Sequence, residues 1–286
     1  MPFLTALQKK YKEKGLVILG VTKPDPENTL EIVSKLVAKK GDDVGYAIAM
    51  DDGRATLDSW LKPAGQRFLP CAFIVDRAGK IAHVLQPDQE DLEGPLAQVL
   101  AGNWDITASR ARFIDKMQRR AKADALNDQL ESAKRAGDWN KAVALCGDLL
   151  TLDPVDNVDA AAEKFRILLV ELEDESAAYA FGREAVATLA RNDARTLNRI
   201  AFPIVDPKLK VQNKDLGLAL DAAQRANELK KGQGPYVLNT RARIHFIKGD
   251  VKEAIILREK ALSLVDPESK AAFLSSLEEY ERAAQP

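Results

Sequence analysis

The apolar positions of the first hundred residues follow two different spacings. Apolar runs bounded by turn residues predict strands at residues 16–22, 46–50, 71–75 and 81–85. Apolar residues three and four positions apart predict helices before, between and after these strands, at residues 26–40, 54–61 and 92–100 and at the start of the chain. The first helix has Phe3, Leu4, Leu7 and Tyr11 on one face and is expected to run into Gly15. This alternation of helices and strands predicts an α/β domain in the first part of the chain.

Two of these elements carry specific expectations. Residues 16–22 are almost entirely apolar, which predicts a buried strand. The helix that follows is expected to have Asp25 as its N-cap, Pro26 at its first position and Gly41 as its stop. The stripe of this helix that should face the core is Leu30, Val33, Leu36 and Val37.

The rest of the chain, from Ala108 onward, has helical spacing and contains a repeat. Residues 136–154 and 248–267 share one pattern, in which a glycine precedes an alanine by five residues and an Asp-Pro pair ends the segment. Glycine permits a tight turn between helices, alanine lets them approach, and proline ends the second helix. The repetition predicts stacked helix pairs.

This pattern resembles the tetratricopeptide repeat. Two weaker helix pairs, at residues 162–190 and 196–229, lie between the two clear copies, and residues 268–284 would form a capping helix. About four pairs are enough to stack into a short all-α solenoid. The resemblance implies a protein or peptide partner bound by the helical repeats.

The stretch around Pro70 combines a strand, a turn and a return strand. Pro70 stands directly before residues 71–75, where its missing N–H harms a sheet least. Asp76 and Gly79 have hairpin-turn chemistry, and residues 81–85 form the return strand. The order of proline, two small residues, Phe-Ile-Val-Asp, a turn and Gly-Lys-Ile resembles the third and fourth strands of the thioredoxin fold. The resemblance is to the bacterial extracytoplasmic thiol-disulfide oxidoreductases.

That resemblance covers residues 2–105, and it departs from the family at the start. It implies a cis peptide bond at Pro70, which would face the redox site. The family places a central strand and Trp-Cys-x-x-Cys upstream of the first helix, and this sequence starts downstream of both. We expect an incomplete thioredoxin-like domain, truncated at its N-terminus, over residues 1–105, and a helical-repeat domain over residues 106–286.

The absent strand would lie between the strands at residues 16–22 and 71–75. Its loss would leave two rows of unpaired backbone groups, each costing about 1–3 kcal/mol if buried. The alternative to truncation is a genuine short form, which closes the gap by shifting its strands or by pairing with another chain.

Composition and charge exclude several classes of function. Forty-two basic and 43 acidic residues leave a net charge of −1, so no bulk field attracts the chain to nucleic acid or an anionic membrane. The apolar runs are too short to span a membrane, and no signal peptide, phosphate-binding loop, metal-ligand spacing or cofactor motif is visible. The chain as written is expected in the cytoplasm. A periplasmic location is expected if the true N-terminus is missing.

Cys71 and Cys146 are the two cysteines, and they form neither Cys-x-x-Cys nor a disulfide framework. Pro70 and Cys71 are the candidate substrate-facing residues, because the proline would align a substrate chain and Cys71 could meet an incoming thiol. The alternatives are an ordinary trans proline and a small, buried strand residue. Cys146 lies on an apolar helix face, which favours packing. No catalytic residue is predicted, since a dithiol cycle needs two neighbouring thiols.

The remaining candidates favour structural roles. His83 and His245 are isolated from any acid or nucleophile at a motif spacing. Trp104, near the expected domain boundary, is interpreted as an interdomain anchor. A basic cluster on the linking helix is interrupted by Asp115 and Asp124, which favours a solvated face over a phosphate site. Its members are Arg110, Arg112, Lys116, Arg119, Arg120 and Lys122.

Two functions remain. The first is that of a thiol-disulfide oxidoreductase-type protein with a repeat scaffold, lacking dithiol activity as written. The second is that of a non-catalytic interaction scaffold, with a redox-dead thioredoxin-like docking domain. A peroxidase that uses Cys71 alone is disfavoured, because no motif places a cation beside this thiol to depress its pKa.

Overall fold

The fold has two compact parts. The computed structural model describes residues 2–66, 69–88 and 90–284. The chain divides into a first unit, Met1–Gln118, and a second unit, Arg119–Pro286. This division falls within a long helix, and the domain boundary expected between residues 105 and 106 stays a prediction.

The described part of the first unit alternates helices with short strands. In chain order its elements are α1 (Pro2–Tyr11), β1 (Leu19–Thr22), α2 (Leu30–Lys40), β2 (Ala47–Met50), β3 (Ala72–Val75), β4 (Ile81–Leu85), α3 (Glu93–Ala101) and α4 (Ile106–Ala136). Short 3-10 turns follow α1 and α2, and a π-helical turn, Leu57–Leu61, precedes β3. The predicted α/β region followed by helices is therefore present.

The strands of this unit form two separate pairs. β1 lies parallel to β2, with Leu19 opposite Ala47 and Thr22 opposite Met50. β3 lies antiparallel to β4, with an irregularity in the register between Ile74 and Val75. Among the described residues, no ladder joins β1 to β3, so each strand keeps one edge without a neighbour.

Two side chains of α1 form hydrogen bonds to the backbone segments that precede β1 and β2. Gln8 donates from Nε2 to the carbonyl of Leu16 at 2.7 Å, and its Oε1 accepts from the N–H of Ile18 at 2.6 Å. Thr5 Oγ1 donates to the carbonyl of Asp43 at 2.7 Å and accepts from the N–H of Gly45 at 2.9 Å. Two polar side chains thus satisfy backbone groups that the short β1–β2 ladder does not reach.

The core of the first unit lies among α1, β3, β4 and α3. Its buried apolar residues are Leu7, Tyr11, Ile74, Ala82, Leu85, Leu92 and Leu96. Of the predicted face of α1, Leu7 and Tyr11 belong to this core, Leu4 is partly buried against it, and Phe3 is 51% exposed.

The buried strand expected at residues 16–22 is wrong in this structure. Val17 is 83% exposed, Leu19 is 58% exposed and Val21 is 45% exposed. The expected core stripe of α2 is also incorrect, because Leu30 and Leu36 are exposed and no residue of α2 is buried. These side chains are apolar, as the sequence shows, but no helix or strand among the described residues covers them.

The start of α2 differs from the expectation as well. The helix begins at Leu30, and Thr29 caps it by accepting a hydrogen bond from the N–H of Ile32. Asp25 instead accepts from the N–H of Glu27 at 3.0 Å, in a turn that precedes the helix. Thr29 and Asp25 are both good capping residues, and the additional turn decides between them.

The second unit is helical. After the end of α4, the helices are α5 (Trp139–Leu152), α6 (Asp159–Arg166), α7 (Glu175–Ala187), α8 (Ala194–Val205), α9 (Leu216–Leu229), α10 (Pro235–Ile247), α11 (Val251–Leu264) and α12 (Lys270–Ala284). A π-helical turn, Ile167–Glu171, continues α6. None of the helices in the described ranges is both long enough and apolar enough to cross a membrane.

Aspartate begins most of these helices. Its side chain accepts a hydrogen bond from a backbone N–H in the first turn of α5, α7, α8, α9 and α11. The residues are Asp138, Asp174, Asp193, Asp215 and Asp250. An N-cap of this kind typically stabilises a helix by about 1 kcal/mol, and it fixes where each helix starts.

The helices pack along the chain in order. α6 lies against α7, α8 against α9, and α10 against α11, while α6 also contacts α8 and α8 contacts α10. The core between them contains Phe165, Leu197 and Ile204, all fully buried. Gly182 on α7 lies directly against the ring of Phe165, since a Cβ at this glycine would come within 2.7 Å of it.

Candidate functional site

The candidate site lies at the start of β3. The peptide bond between Leu69 and Pro70 is cis. Leu69 is 68% exposed, and Pro70 is exposed as well. Cys71 is half-buried and free, and β3 begins at the next residue. The structure therefore places the two predicted residues, Pro70 and Cys71, side by side at the surface end of a strand.

The surroundings of Cys71 disfavour a thiolate. Burial raises the pKa of the Cys71 thiol, and the negative charge of Glu90 raises it further. A reactive thiolate needs the opposite environment, with a nearby cation or a helix N-terminus. Cys71 is therefore a protonated thiol at neutral pH.

This environment predicts the pH dependence of alkylation. The rate at which iodoacetamide modifies Cys71 in the folded chain is expected to rise continuously with pH up to and beyond 9.0, the ordinary pKa of a thiol. Cys146 is fully buried and its pKa is raised to about 12, first by burial and then by Glu163, so it should react only after unfolding. Mass spectrometry of each peptide measures both rates. A Cys71 rate that levels off below about pH 8 would contradict this description.

His83 lies on the neighbouring strand in a hydrogen-bonded setting. Its Nδ1 is 3.0 Å from Oγ of Ser109, which is buried in the first turn of α4. Burial lowers the pKa of His83, and Arg112 and Lys116 lower it further, although Glu90 opposes them. The histidine is therefore neutral at physiological pH, which agrees with the structural role predicted for it.

Two tryptophans contact the β3–β4 hairpin. Trp104 donates from Nε1 to the carbonyl of Ala82 at 2.9 Å, and its ring lies 5.2 Å from that of His83. These contacts lie within the first unit, and the role of Trp104 as an interdomain anchor stays a prediction. Trp60 meets Phe73 of β3 edge-on, at 5.4 Å between ring centroids.

Glu90 connects the site to α4. It accepts a hydrogen bond from Nζ of Lys116 at 3.2 Å, and its charge reaches both Cys71 and His83. The sequence gives no signal for Glu90 or Ser109, because neither lies in a motif and both reach the site from distant positions. Lys116 stands out in the sequence only as part of the basic cluster.

Apart from Arg112 and Lys116, whose charges reach His83, the other candidate residues do not join this site. His245 pairs with Asp250 at 3.1 Å in the second unit. In the basic cluster, Lys116 pairs with Glu90 and Arg119 with Asp153, while the other members lie mostly at the surface. Among the described residues, no group of three histidine, cysteine or acidic side chains could hold a metal ion.

The site thus presents an exposed cis-proline beside one protonated thiol. Such an arrangement can contact an extended peptide, but it offers no resolving thiol for disulfide exchange. Together with the strand–helix–strand and hairpin order, it is consistent with a thioredoxin-like region.

Comparisons with known proteins support a thioredoxin-like domain in this chain. The chain is 31% identical over 101 residues to proteins described as thiol-disulfide oxidoreductase ResA from Bacillus thuringiensis, Bacillus anthracis and Bacillus cereus. The match covers 35% of this chain and 53% of each relative, so the chain spans about half the length of the curated relatives it matches. No family model matches the chain. No solved structure matches it significantly.

Proposed function

We propose that this chain is a protein of the thioredoxin-like redox family whose first unit lacks a central strand and the catalytic cysteine pair. Its helical second unit is a tetratricopeptide-repeat scaffold that binds a protein partner. The observation that carries this proposal is that no ladder joins β1 to β3 among the described residues, in a unit that contains a cis-proline of the kind that the resemblance implies.

The edge of β1 supports an open strand position. The carbonyl of Thr22 accepts from the N–H of Asp51 at 2.8 Å, so the backbone groups of Thr22 point towards β2. Because successive residues of a strand point to opposite edges, Gly20 shares this direction, whereas Leu19 and Val21 point away from β2. In the part of the chain that the structure describes, no strand lies on that side.

Exposed apolar side chains support the same proposal. Val17, Leu19 and Val21 around β1, and Leu30 and Ile32 around α2, are exposed by 44–83%. Large exposed apolar patches in a soluble domain mark a surface that another element normally covers. A strand between β1 and β3 would pair both free edges and bring the two small sheets into one.

The cysteine content supports the absence of dithiol activity. The relatives are described as thiol-disulfide oxidoreductases, a reaction in which one thiolate attacks and a second thiol resolves the mixed disulfide. In this chain Cys71 has a raised pKa, and Cys146 is fully buried. Neither residue can replace the missing pair.

We expect no dithiol-reductase activity from this chain. In an insulin-reduction assay with dithiothreitol, insulin should precipitate at the same rate with and without the protein. An intact thiol-disulfide oxidoreductase with Cys-x-x-Cys serves as the positive control. Turnover by the chain above the dithiothreitol background would contradict the proposal, and loss of that turnover in Cys71→Ser would assign it to this chain and not to a contaminant.

The two clear repeats support the scaffold role of the second unit. Gly137 has φ of 71° and Gly249 has φ of 85°, a left-handed backbone that favours glycine at these interhelical turns. Ala142 and Ala254 are both fully buried, as expected for the small residues that let paired helices approach. Helix pairs stacked in this way commonly present an extended surface to a protein partner.

The second candidate is a purely non-catalytic scaffold with a redox-dead docking domain, favoured by the raised pKa of Cys71. The coding sequence before the Met1 codon, together with the intact mass of the protein from its native cells, distinguishes the two. An in-frame strand followed by Trp-Cys-x-x-Cys favours the enzyme family. A stop codon at that position favours the scaffold.

A further inference from the structure

The last helix, α12, closes the end of the helical stack through a small core of its own. Its Phe273 and Tyr280 are buried against α10 and α11, in a cluster distinct from the larger core that the helices from α4 to α10 share. We call the face of α10 and α11 beneath them the α12 seat. Its buried members are Leu238, Ala242, Ala254, Leu257 and Ala261, and Phe246 packs beside them.

Two aromatic anchors hold α12 on this seat. Phe273 and Tyr280 lie seven positions apart, so they project from the same face of the helix, two turns apart. The ring of Tyr280 stacks on Phe246 with 4.4 Å between centroids, and Phe273 meets the ring of Tyr236 edge-on at 5.8 Å. Among the side chains of α12 whose burial is described, only these two are buried. The contact therefore has the form of a helix bound in a groove by spaced anchors.

A buried arginine of α11 contacts both anchors. The guanidinium carbon of Arg258 is 4.9 Å from the ring centroid of Phe273 and 5.9 Å from that of Tyr280, and its Nε donates to the carbonyl of Phe273 at 2.9 Å. Arg258 is only 3% exposed, and burial lowers its pKa. Withdrawing this charge from water costs free energy that the ring contacts offset only in part. Departure of α12 returns the guanidinium to water, which favours opening of the seat.

An ion pair joins the rim of the seat to α12. Nη1 of Arg243 on α10 is 2.8 Å from Oε1 of Glu279, the residue directly before the second anchor. The Glu279 side chain is 42% exposed, so solvent reaches this pair and weakens it. The guanidinium of Arg243 also lies over the ring of Phe246. The seat therefore presents two arginines among apolar side chains, and they favour a helix that carries a carboxylate beside its aromatic anchors.

We propose that α12 is a removable cap and that the α12 seat also binds an amphipathic helix of a partner protein. The partner helix carries two aromatic residues seven positions apart and a carboxylate directly before the second, because α12 itself shows what the seat accepts. This inference rests on the proposed protein-binding role of the second unit and adds the place of binding and the chemistry of the partner. Residues 265–269, between α11 and α12, provide the hinge.

Hydrogen exchange of the natural chain, followed by mass spectrometry, tests whether α12 opens by itself. Its amides should exchange at least about tenfold faster than those of α10, because opening α12 exposes two anchors, whereas α10 also takes part in the larger core. Equal exchange in the two helices would show that the cap opens only together with the rest of the unit, and would overturn the inference.

A labelled peptide with the sequence of residues 266–284 tests binding to the seat by fluorescence anisotropy. In the natural chain the tethered α12 competes with this peptide, so its affinity is low. Tyr280→Ala in the full chain removes an anchor from the tethered helix and leaves the seat intact, so the peptide should then bind at least about tenfold tighter. Circular dichroism checks that the variant keeps its other helices. Unchanged affinity in this variant would overturn the inference.

Glu279→Lys is a milder variant, because it opposes Arg243 at the rim and leaves both anchors in place. It should tighten binding of the peptide about threefold. The matched control, Glu278→Lys, makes the same change of charge at the neighbouring exposed position and should leave the affinity unchanged. Equal effects of the two variants would mean that net charge, and not the rim pair, governs binding, and would overturn the inference.

Changes within the peptide identify what the seat recognises. Replacing the phenylalanine or the tyrosine anchor of the peptide by alanine should weaken its binding to the Tyr280→Ala chain at least about tenfold. A peptide of the same composition in scrambled order should not bind. Binding of the scrambled peptide with equal affinity would overturn the inference.

Further outcomes separate this inference from the function on which it rests. If α12 opens and the peptide still fails to bind, the inference fails while the scaffold role of the remaining helices stands. Dimers of the natural chain that form by exchange of α12, detected by sedimentation velocity, would make a second copy the occupant and would overturn the partner helix. Turnover in the insulin assay would overturn the proposed absence of dithiol activity and leave the removable cap in place.

Discussion

Replacing Phe165 by alanine is expected to lower the free energy of unfolding of the second unit by about 3–5 kcal/mol. The ring is fully buried on α6 and lies against Gly182 on α7. Its removal forfeits the burial of a large apolar side chain and leaves a cavity that the stacked helices can fill only partly. Urea denaturation followed by circular dichroism measures the loss, because most of the helical signal comes from this unit.

Phe165→Leu provides the graded comparison. Leucine retains much of the apolar volume, so its loss of stability should be clearly smaller than that of alanine. Tyr236→Phe serves as a surface control, since Tyr236 is 53% exposed and the change should alter stability by less than about 0.5 kcal/mol. A loss below about 1 kcal/mol for Phe165→Ala would show that this ring is not central to the packing.

Gly182→Ala should destabilise the second unit by about 1–3 kcal/mol, because it overpacks the core. Within a helix, alanine is intrinsically better than glycine by about 1 kcal/mol, so this prediction opposes the helix propensity. The reason is space, since a Cβ at Gly182 would lie 2.7 Å from the ring of Phe165 and 2.9 Å from Leu218. The same denaturation experiment measures the change.

A double-mutant cycle tests whether the clash with Phe165 causes the loss of stability in Gly182→Ala. In the Phe165→Leu background the clash of Gly182→Ala with the ring is relieved while the one with Leu218 remains, so Gly182→Ala should cost less there than in the natural sequence. Gly147→Ala on α5 is the control, because nothing lies within 4 Å of a Cβ at Gly147 and the helix propensity should then make the change favourable. A stabilising effect of Gly182→Ala would contradict the close contact between α6 and α7.

The helical part can be predicted from sequence because its signals are local. The glycines at positions 137 and 249 adopt the left-handed backbone that an interhelical turn favours, and the aspartates before the helices are true N-caps. Each of these residues acts within a few positions of itself. The helix starts at α5, α9 and α11 therefore follow from the amino-acid order.

The burial in the first unit cannot be predicted in the same way. An apolar run such as 16–22 shows which side chains prefer to leave water, but it does not show what covers them. Val17 and Leu19 are exposed because no described element lies over them. The cap of α2 differs from the prediction for a smaller reason, since Asp25 and Thr29 are both suitable and only the fold chooses Thr29.

The sequence predicts the two central residues of the candidate site, but it does not predict the side chains that surround them. Pro70 and Cys71 stand out because a proline before an apolar strand and hairpin resembles a known arrangement. Glu90 sets part of the pKa of Cys71 from a loop outside that motif. Ser109 reaches His83 from α4, 26 positions further along the chain, and no local pattern marks such a pair.

Amide hydrogen exchange followed by NMR tests most directly whether β1 has an open edge in this chain, on which the proposed function depends. The amides of Gly20 and Thr22 point towards β2, whereas those of Leu19 and Val21 point to the open side. We predict protection at Gly20 and Thr22 and free exchange at Leu19 and Val21. Equal protection at all four amides would mean that another strand pairs there, and it would contradict the open edge.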